Sequence, residues 1–215
     1  MEFLTEFLKF FLHLDKSLQG VINHYGTLTY IILFAVIFAE TGLVVTPFLP
    51  GDSLLFAAGA LASGTGLNPL LIFVVLSIAA VLGDAVNYAV GRFIGKRAFS
   101  GEFKFLKKEY LDKTHAFYEK YGNKTIVLAR FVPIVRTFAP FVAGVGEMKY
   151  HHFAMYNIFG GVLWVGSLTA AGYFFGGIPI VKKNFELVIL AIIILSILPG
   201  IFEWWKAHSA AKKGE

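Results

Sequence analysis

Five ionisable residues stand inside otherwise apolar stretches of this 215-residue chain: Glu40, Asp52, Asp84, Arg130 and Arg136. At mid-membrane depth such a group costs about 2.5–3.5 kcal/mol on insertion scales, so each needs a partner or a task. Glu40 and Asp52 flank Pro47-Phe48-Leu49-Pro50-Gly51, and Arg130 and Arg136 flank Pro133. If these two segments meet, their four charges sum to zero. Asp84 stands apart, with Asn87, Tyr88 and Arg92 following at helical spacing, and reads as the centre of a supporting polar network. The simplest use of the charges is static: ion pairs that hold two irregular segments together. The other is dynamic. Arginine keeps its proton and offers a planar fork suited to phosphate oxygens. A low-dielectric cavity favours the neutral form of a carboxylic acid, which lets it take up and release protons. A proton on Glu40 or Asp52 would free an arginine for an anionic headgroup. Glu40 and Asp52 are therefore the candidate proton-coupling residues, and Arg130 and Arg136 the candidate headgroup-binding residues. Both uses stay open at this point.

The elements that would position these residues are helical. Residues 2–22 place Phe3, Phe7, Phe10, Phe11, Leu14, Leu18, Val21 and Ile22 at helical spacing opposite Glu6, Lys9, His13 and Lys16. That pattern suits an amphipathic helix at the membrane interface, and 102–121 repeats it. The stretch 28–63 is apolar but carries Pro47, Pro50 and Gly51, which one straight helix cannot accommodate. Two short legs around a broken tip fit better, as a re-entrant hairpin that does not cross. The stretch 125–146, broken by Arg130, Pro133, Arg136 and Pro140, fits the same description. Irregular backbone at membrane depth is tolerated only against protein or a wet cavity. Apolar runs at 69–91, 153–177 and 186–205 are near the roughly 20 residues a span requires.

Short matches recur in one order: Leu14-Asp15-Lys16 with Leu111-Asp112-Lys113, Tyr25-Gly26 with Tyr121-Gly122, Phe56-Ala57-Ala58-Gly59 with Phe141-Val142-Ala143-Gly144, and Gly91…Gly95 with Gly172…Gly176. The expected architecture is thus an all-α integral membrane protein, a single membrane domain over 1–215. It holds an inverted repeat (about 1–95 and 102–177), plus a C-terminal transmembrane helix over about 186–205. Each unit is an amphipathic helix, a re-entrant helical hairpin and a transmembrane helix. A unit that crosses once must have its copy inserted upside down, a recurring transporter plan.

Composition supports this class. Apolar residues make up 57% and charged residues only 15%, where soluble domains carry about a quarter charged residues. The net charge of +5 does not point to nucleic acid, because nine of the 19 basic residues fall in 92–124 and Lys206, Lys212 and Lys213 follow the last apolar run. This is the cytoplasmic enrichment of the positive-inside rule. It places the C-terminus in the cytoplasm and the N-terminus outside; Lys182 and Lys183 on the other side are outnumbered. Trp204-Trp205 suits an interfacial belt. Cysteine is absent, which removes disulfides and thiolate metal sites. The N-terminus lacks a basic n-region, so no cleavable signal peptide is expected. His151-His152 has no third ligand nearby, and no metal or cofactor is expected. The spacing Gly91…Gly95 and Gly172…Gly176 suits close helix packing, with a homo-oligomer face as the alternative.

At the charged residues the chain resembles the DedA family, within the VTT-domain superfamily. Glu40 with Pro47-Phe48-Leu49-Pro50-Gly51-Asp52 looks like its acidic, proline-rich signature, although many members carry glutamate where Asp52 stands. Gly83-Asp84 through Tyr88 to Gly91-Arg92 resembles its characteristic span. Arg130-Phe131-Val132-Pro133-Ile134-Val135-Arg136-Thr137 resembles its paired-arginine motif. The resemblance covers about 30–205. It implies a bacterial inner-membrane protein with two opposed re-entrant hairpins, related to eukaryotic lipid scramblases and tied to the proton motive force. It further implies a lipid substrate of the undecaprenyl phosphate or phosphatidylethanolamine class, and an essential role for residues matching Glu40, Asp52, Arg130 and Arg136.

The expected function is therefore a proton-motive-force-dependent transporter or flippase of a phosphate-bearing lipid, with lipid and protons as its partners. An exporter of small cations or drugs is an alternative, although two fixed arginines do not favour a cation. An energy-independent scramblase is another. A lipid-phosphate enzyme is disfavoured, because no Walker loop, Gly-x-Ser-x-Gly or zincin helix occurs and no histidine lies in either hairpin segment.

Overall fold

A computed structural model of the protein describes residues 14–43, 51–94, 119, 122–146 and 148–195. The interfacial helix expected over 102–121 falls almost wholly outside these residues, as do Pro47, Pro50, Gly95 and Trp204-Trp205. The described residues are helical, without strands.

Helix α1 spans Leu14–Tyr25 and runs through a short turn, Gly26–Leu28, into α2 at Thr29–Gly42. Gly26 has φ 52, a left-handed conformation that glycine adopts without steric cost. Counted through this turn, Leu18–Gly42 is 25 residues and apolar enough to cross a membrane, where the sequence pattern suggests only a short leg over 28–39. α2 stops at Leu43, whose backbone is extended (φ −91, ψ 116). Helix α3 covers Gly51–Ala62 and α4 covers Pro69–Ile94. The side-chain amide of Asn68 starts α4 by accepting from the backbone N–H groups of Leu70 and Leu71, as an N-cap does.

The second irregular region is a one-turn helix α5 (Thr125–Leu128), a tight turn at Ala129–Phe131, an extended Val132 (φ −124, ψ 103), and helix α6 from Pro133 to Val145. Proline at the first helical position has no hydrogen bond to lose there. Pro140, further along, leaves the Arg136 carbonyl without its helical donor. Helix α7 spans Tyr150–Phe175 and α8 spans Pro179–Lys183. A shorter apolar helix, α9, covers Phe185–Leu195; the rest of the expected C-terminal span lies outside the described residues. Among the described residues, three helices, counting Leu18–Gly42 with α4 and α7, are long and apolar enough to span a bilayer.

The two long helices form the centre. α2 packs along α4 and α5 along α7, whereas α3 lies on α7 and α6 on α4. The last two contacts are close because side chains are missing where the backbones meet. A Cβ on Gly59 or Gly172 would strike the backbone of α7 or α3, and one on Gly91 or Gly144 the backbone of α6 or α4. Gly91, Gly172 and Gly176 are thus used within the chain. Beside an apolar core that includes Ile72, Leu76 and Val165, the long helices also bury polar groups and leave apolar ones exposed. α4 turns Asp84, Asn87 and Tyr88 inward and Leu70, Val74, Ile78, Leu82 and Val86 outward. α7 buries Asn157, Gly160, Gly161 and Trp164 while exposing Met155, Ile158, Phe159 and Leu163. An apolar exterior around buried polar residues is what a lipid surround selects.

Candidate functional site

Glu40 lies in the last turn of α2 and Asp52 in the first turn of α3. Arg136, in the first turn of α6, reaches both: Nη2 donates to Glu40 Oε1 at 2.8 Å, and Nη1 donates to Asp52 Oδ1 at 2.8 Å. One guanidinium therefore holds two carboxylates from the other irregular region. Glu40 Oε1 also accepts from the backbone N–H of Gly51 at 3.2 Å, which fastens the end of α2 to the start of α3. Gly51 must be glycine for this to work, because a Cβ there would overlap the Glu40 carboxylate. Asp52 Oδ1 has a second donor, the indole N–H of Trp164 at 2.9 Å. The Arg136 side chain is 11% exposed and that of Asp52 17%, so this cluster borders accessible space.

Arg130 is placed differently. Its Nη2 donates to Asp84 Oδ2 at 2.5 Å and to the side-chain oxygen of Asn157. The Asn157 amide in turn donates to the Val81 carbonyl at 2.9 Å. Gly160 and Gly161 leave the floor on which the guanidinium lies; a Cβ on Gly160 would stand 3.1 Å from Nε. The pair is sealed, with side chains 2% and 5% exposed. Among the described residues, Arg130 Nε and Nη1 and Glu40 Oε2 are buried without a hydrogen-bond partner. Such groups are costly to bury unpaired.

The structure thus brings Glu40, Asp52 and Arg136 together, as the sequence pattern suggests, but adds Asp84 to the charged set through Arg130. The five charges comprise three acids and two arginines rather than a neutral four. Tyr88 and Arg92, grouped with Asp84 in the sequence reading, do not join it in the structure. The Tyr88 hydroxyl donates to the Met148 carbonyl and its ring stacks on Phe153 with centroids 4.4 Å apart, which fixes the start of α7. Arg92 is exposed, eight residues or about 12 Å along the helix from Asp84. Asn87 does belong to the site's frame: its amide donates to the Thr41 carbonyl at 3.2 Å and the Thr137 carbonyl at 3.0 Å, tying α2 to α6.

Sequence reasoning missed Asn157, Trp164 and the steric role of Gly51. Asn157 carried a usable signal, as a lone amide in an apolar run. Trp164 and Gly51 carried none apart from their neighbours. The His151 and His152 rings lie tilted against each other with centroids 4.0 Å apart, and the described residues contain no group of three or more metal-ligating side chains.

The VTT domain family matches residues 49–174. The chain is 56% identical to Protein DedA of Escherichia coli strain K12 over 216 residues, 99% of each chain. It is 46% identical to an uncharacterized membrane protein of Mycobacterium tuberculosis over 184 residues, covering 84% of this chain and 80% of the relative. It is 32% identical to inner membrane protein YqjA of Escherichia coli strain K12 over 203 residues, covering 94% and 92%. No solved structure matches significantly. With more than half of its length inside the VTT match and a near full-length relative at this identity, the chain belongs to the DedA family of VTT-domain membrane proteins.

Proposed function

We propose that the protein is a proton-driven carrier that moves a phosphate-bearing lipid, of the undecaprenyl phosphate or phosphatidylethanolamine class, across the bacterial cytoplasmic membrane in support of envelope homeostasis. The observation that carries this reading is the Arg136 guanidinium shared by Glu40 and Asp52. A planar fork that already holds two carboxylate oxygens is dimensioned for two oxygens of one phosphate, and it lies at the accessible edge of the site.

Charge counting supports proton coupling. Three carboxylates and two guanidinium groups carry one net negative charge when all are ionised, and uptake of one proton makes the set neutral, which a low-dielectric site favours. Glu40 is the acceptor in this reading, since its Oε2 has no hydrogen-bond partner among the described residues. Protonated Glu40 releases its hold on Arg136, the headgroup takes its place, and Arg130 offers Nε and Nη1 as further donors. Loss of the proton on the other side restores the pair and expels the lipid.

The packing supports an inverted repeat, in which the two irregular segments would turn back as re-entrant hairpins. Exchanging α2, α3 and α4 for α5, α6 and α7 maps the α2–α4 contact onto α5–α7, α3–α7 onto α6–α4 and α4–α7 onto itself, and maps Gly59 against Thr169 onto Gly144 against Tyr88. The basic segments support an outside N-terminus and a cytoplasmic C-terminus.

Liposomes reconstituted with the protein and a fluorescent phosphatidylethanolamine or polyprenyl phosphate test the function. Transport should follow an imposed pH gradient and stop with an uncoupler. Glu40→Gln should bind dodecyl phosphate in detergent yet fail to complete gradient-driven transport. Full gradient-driven transport by that variant would remove Glu40 from the coupling role, and transport indifferent to uncoupler would make the protein an energy-independent scramblase.

A further inference from the structure

Helix α7 carries one indole into the charged region. Trp164 is 1% exposed, and a buried indole N–H needs an acceptor. It finds Asp52 Oδ1 at 2.9 Å, the same oxygen that accepts from Arg136 Nη1. The π face has its own neighbours: the guanidinium carbon of Arg136 is 5.1 Å from the ring centroid and that of Arg130 is 5.9 Å. Both distances lie within cation–π range. Asp52 from α3, Arg136 from α6 and Arg130 from the preceding turn therefore face the indole directly. Glu40 from α2 and Asp84 from α4 reach it through the arginines they pair with. A leucine or phenylalanine would fill this position as an apolar plug; only an indole supplies both an N–H donor and an extended electron-rich face.

We propose that Trp164 is a positioning residue of the headgroup site: its N–H orients Asp52, and its ring holds the Arg136 guanidinium while that group passes from carboxylate to phosphate. The identity of the ligand rests on the transport reading above; the three contacts do not. A guanidinium leaving its acids in a low-dielectric cavity stands uncompensated. The ring attracts it whatever the protonation state of the acids, so Arg136 keeps its place between one anion and the next.

The test uses the full-length protein in dodecyl maltoside, with dodecyl phosphate as probe and calorimetry as readout, alongside lipid flipping against pH in liposomes. Trp164→Phe keeps the ring and removes the N–H; Trp164→Leu removes both. Phenylalanine should keep dodecyl phosphate affinity within about threefold while displacing the pH profile of flipping, and leucine should weaken binding about tenfold or more. If both variants merely lower the melting temperature, with wild-type affinity and pH profile, Trp164 is packing and the proposal is overturned. Should leucine prevent folding, the phenylalanine variant decides: a wild-type pH profile overturns the N–H role. If wild-type protein flips no lipid but dodecyl phosphate still binds in a manner sensitive to leucine and tolerant of phenylalanine, the transport reading falls and the assignment of Trp164 stands.

Discussion

The two arginines, six residues apart in sequence, occupy contrasting settings. Arg136 is held by residues at helix ends, Glu40 closing α2 and Asp52 opening α3, and its side chain retains some exposure. Arg130 is held by Asp84 and Asn157 from the interiors of the two long helices, on a floor of glycines. Helix ends can part from one another by changing a few backbone angles, whereas mid-helix residues move only with the whole helix. The contrast fits the proposed cycle, with partner exchange at Arg136 and a fixed charge at Arg130, whose Nε and Nη1 have no hydrogen-bond partner among the described residues.

Removing Arg136 should have the largest effect on transport. Arg136→Ala leaves two carboxylates buried beside each other without counter-charge. Transport should be lost, and stability should fall by about 3 kcal/mol, the low end for a broken buried pair because the cluster edge is accessible. Arg136→Lys should rescue poorly, since a point charge cannot bridge two carboxylates as a fork does. Liposome flipping and melting in detergent measure both. A transporting alanine variant would erase the distinction between the arginines.

The sealed pair sharpens the comparison. Asp84→Leu alone strands a buried guanidinium and should cost about 3–5 kcal/mol, whereas Arg130→Met combined with Asp84→Leu should recover all but about 1 kcal/mol of it. The double variant should fold and still not transport, because the Arg130 donors are gone. Transport by it would make that pair purely structural.

Two glycines give the smallest effects and separate the regions sterically. Gly51→Ala drives a methyl into the Glu40 carboxylate and should cost about 1–3 kcal/mol, with a loss of transport out of proportion to the change in melting temperature. Gly160→Ala meets Arg130 Nε and the Val127 backbone at 3.1 and 3.2 Å and should cost about 1 kcal/mol, with transport reduced only in step with stability. Equal transport losses would mean that both arginines tolerate displacement equally badly.

Much of this was legible without coordinates. Apolar runs, prolines that no straight helix accepts, and ionisable residues in costly places name the class and pick out Glu40, Asp52, Asp84, Arg130 and Arg136 from composition and spacing alone, because insertion costs and backbone sterics are local. Pairing is not local. That Asp84 serves Arg130 rather than Arg92, that Arg136 takes two acids, and that Trp164 faces both arginines depend on how α4 and α7 cross the helices of the other half. That geometry is set by glycine contacts between residues far apart in the chain. Gly51 shows the division most plainly: its presence beside Pro50 reads as a turn signal, and only the folded chain reveals that the Glu40 carboxylate occupies the space a side chain would need.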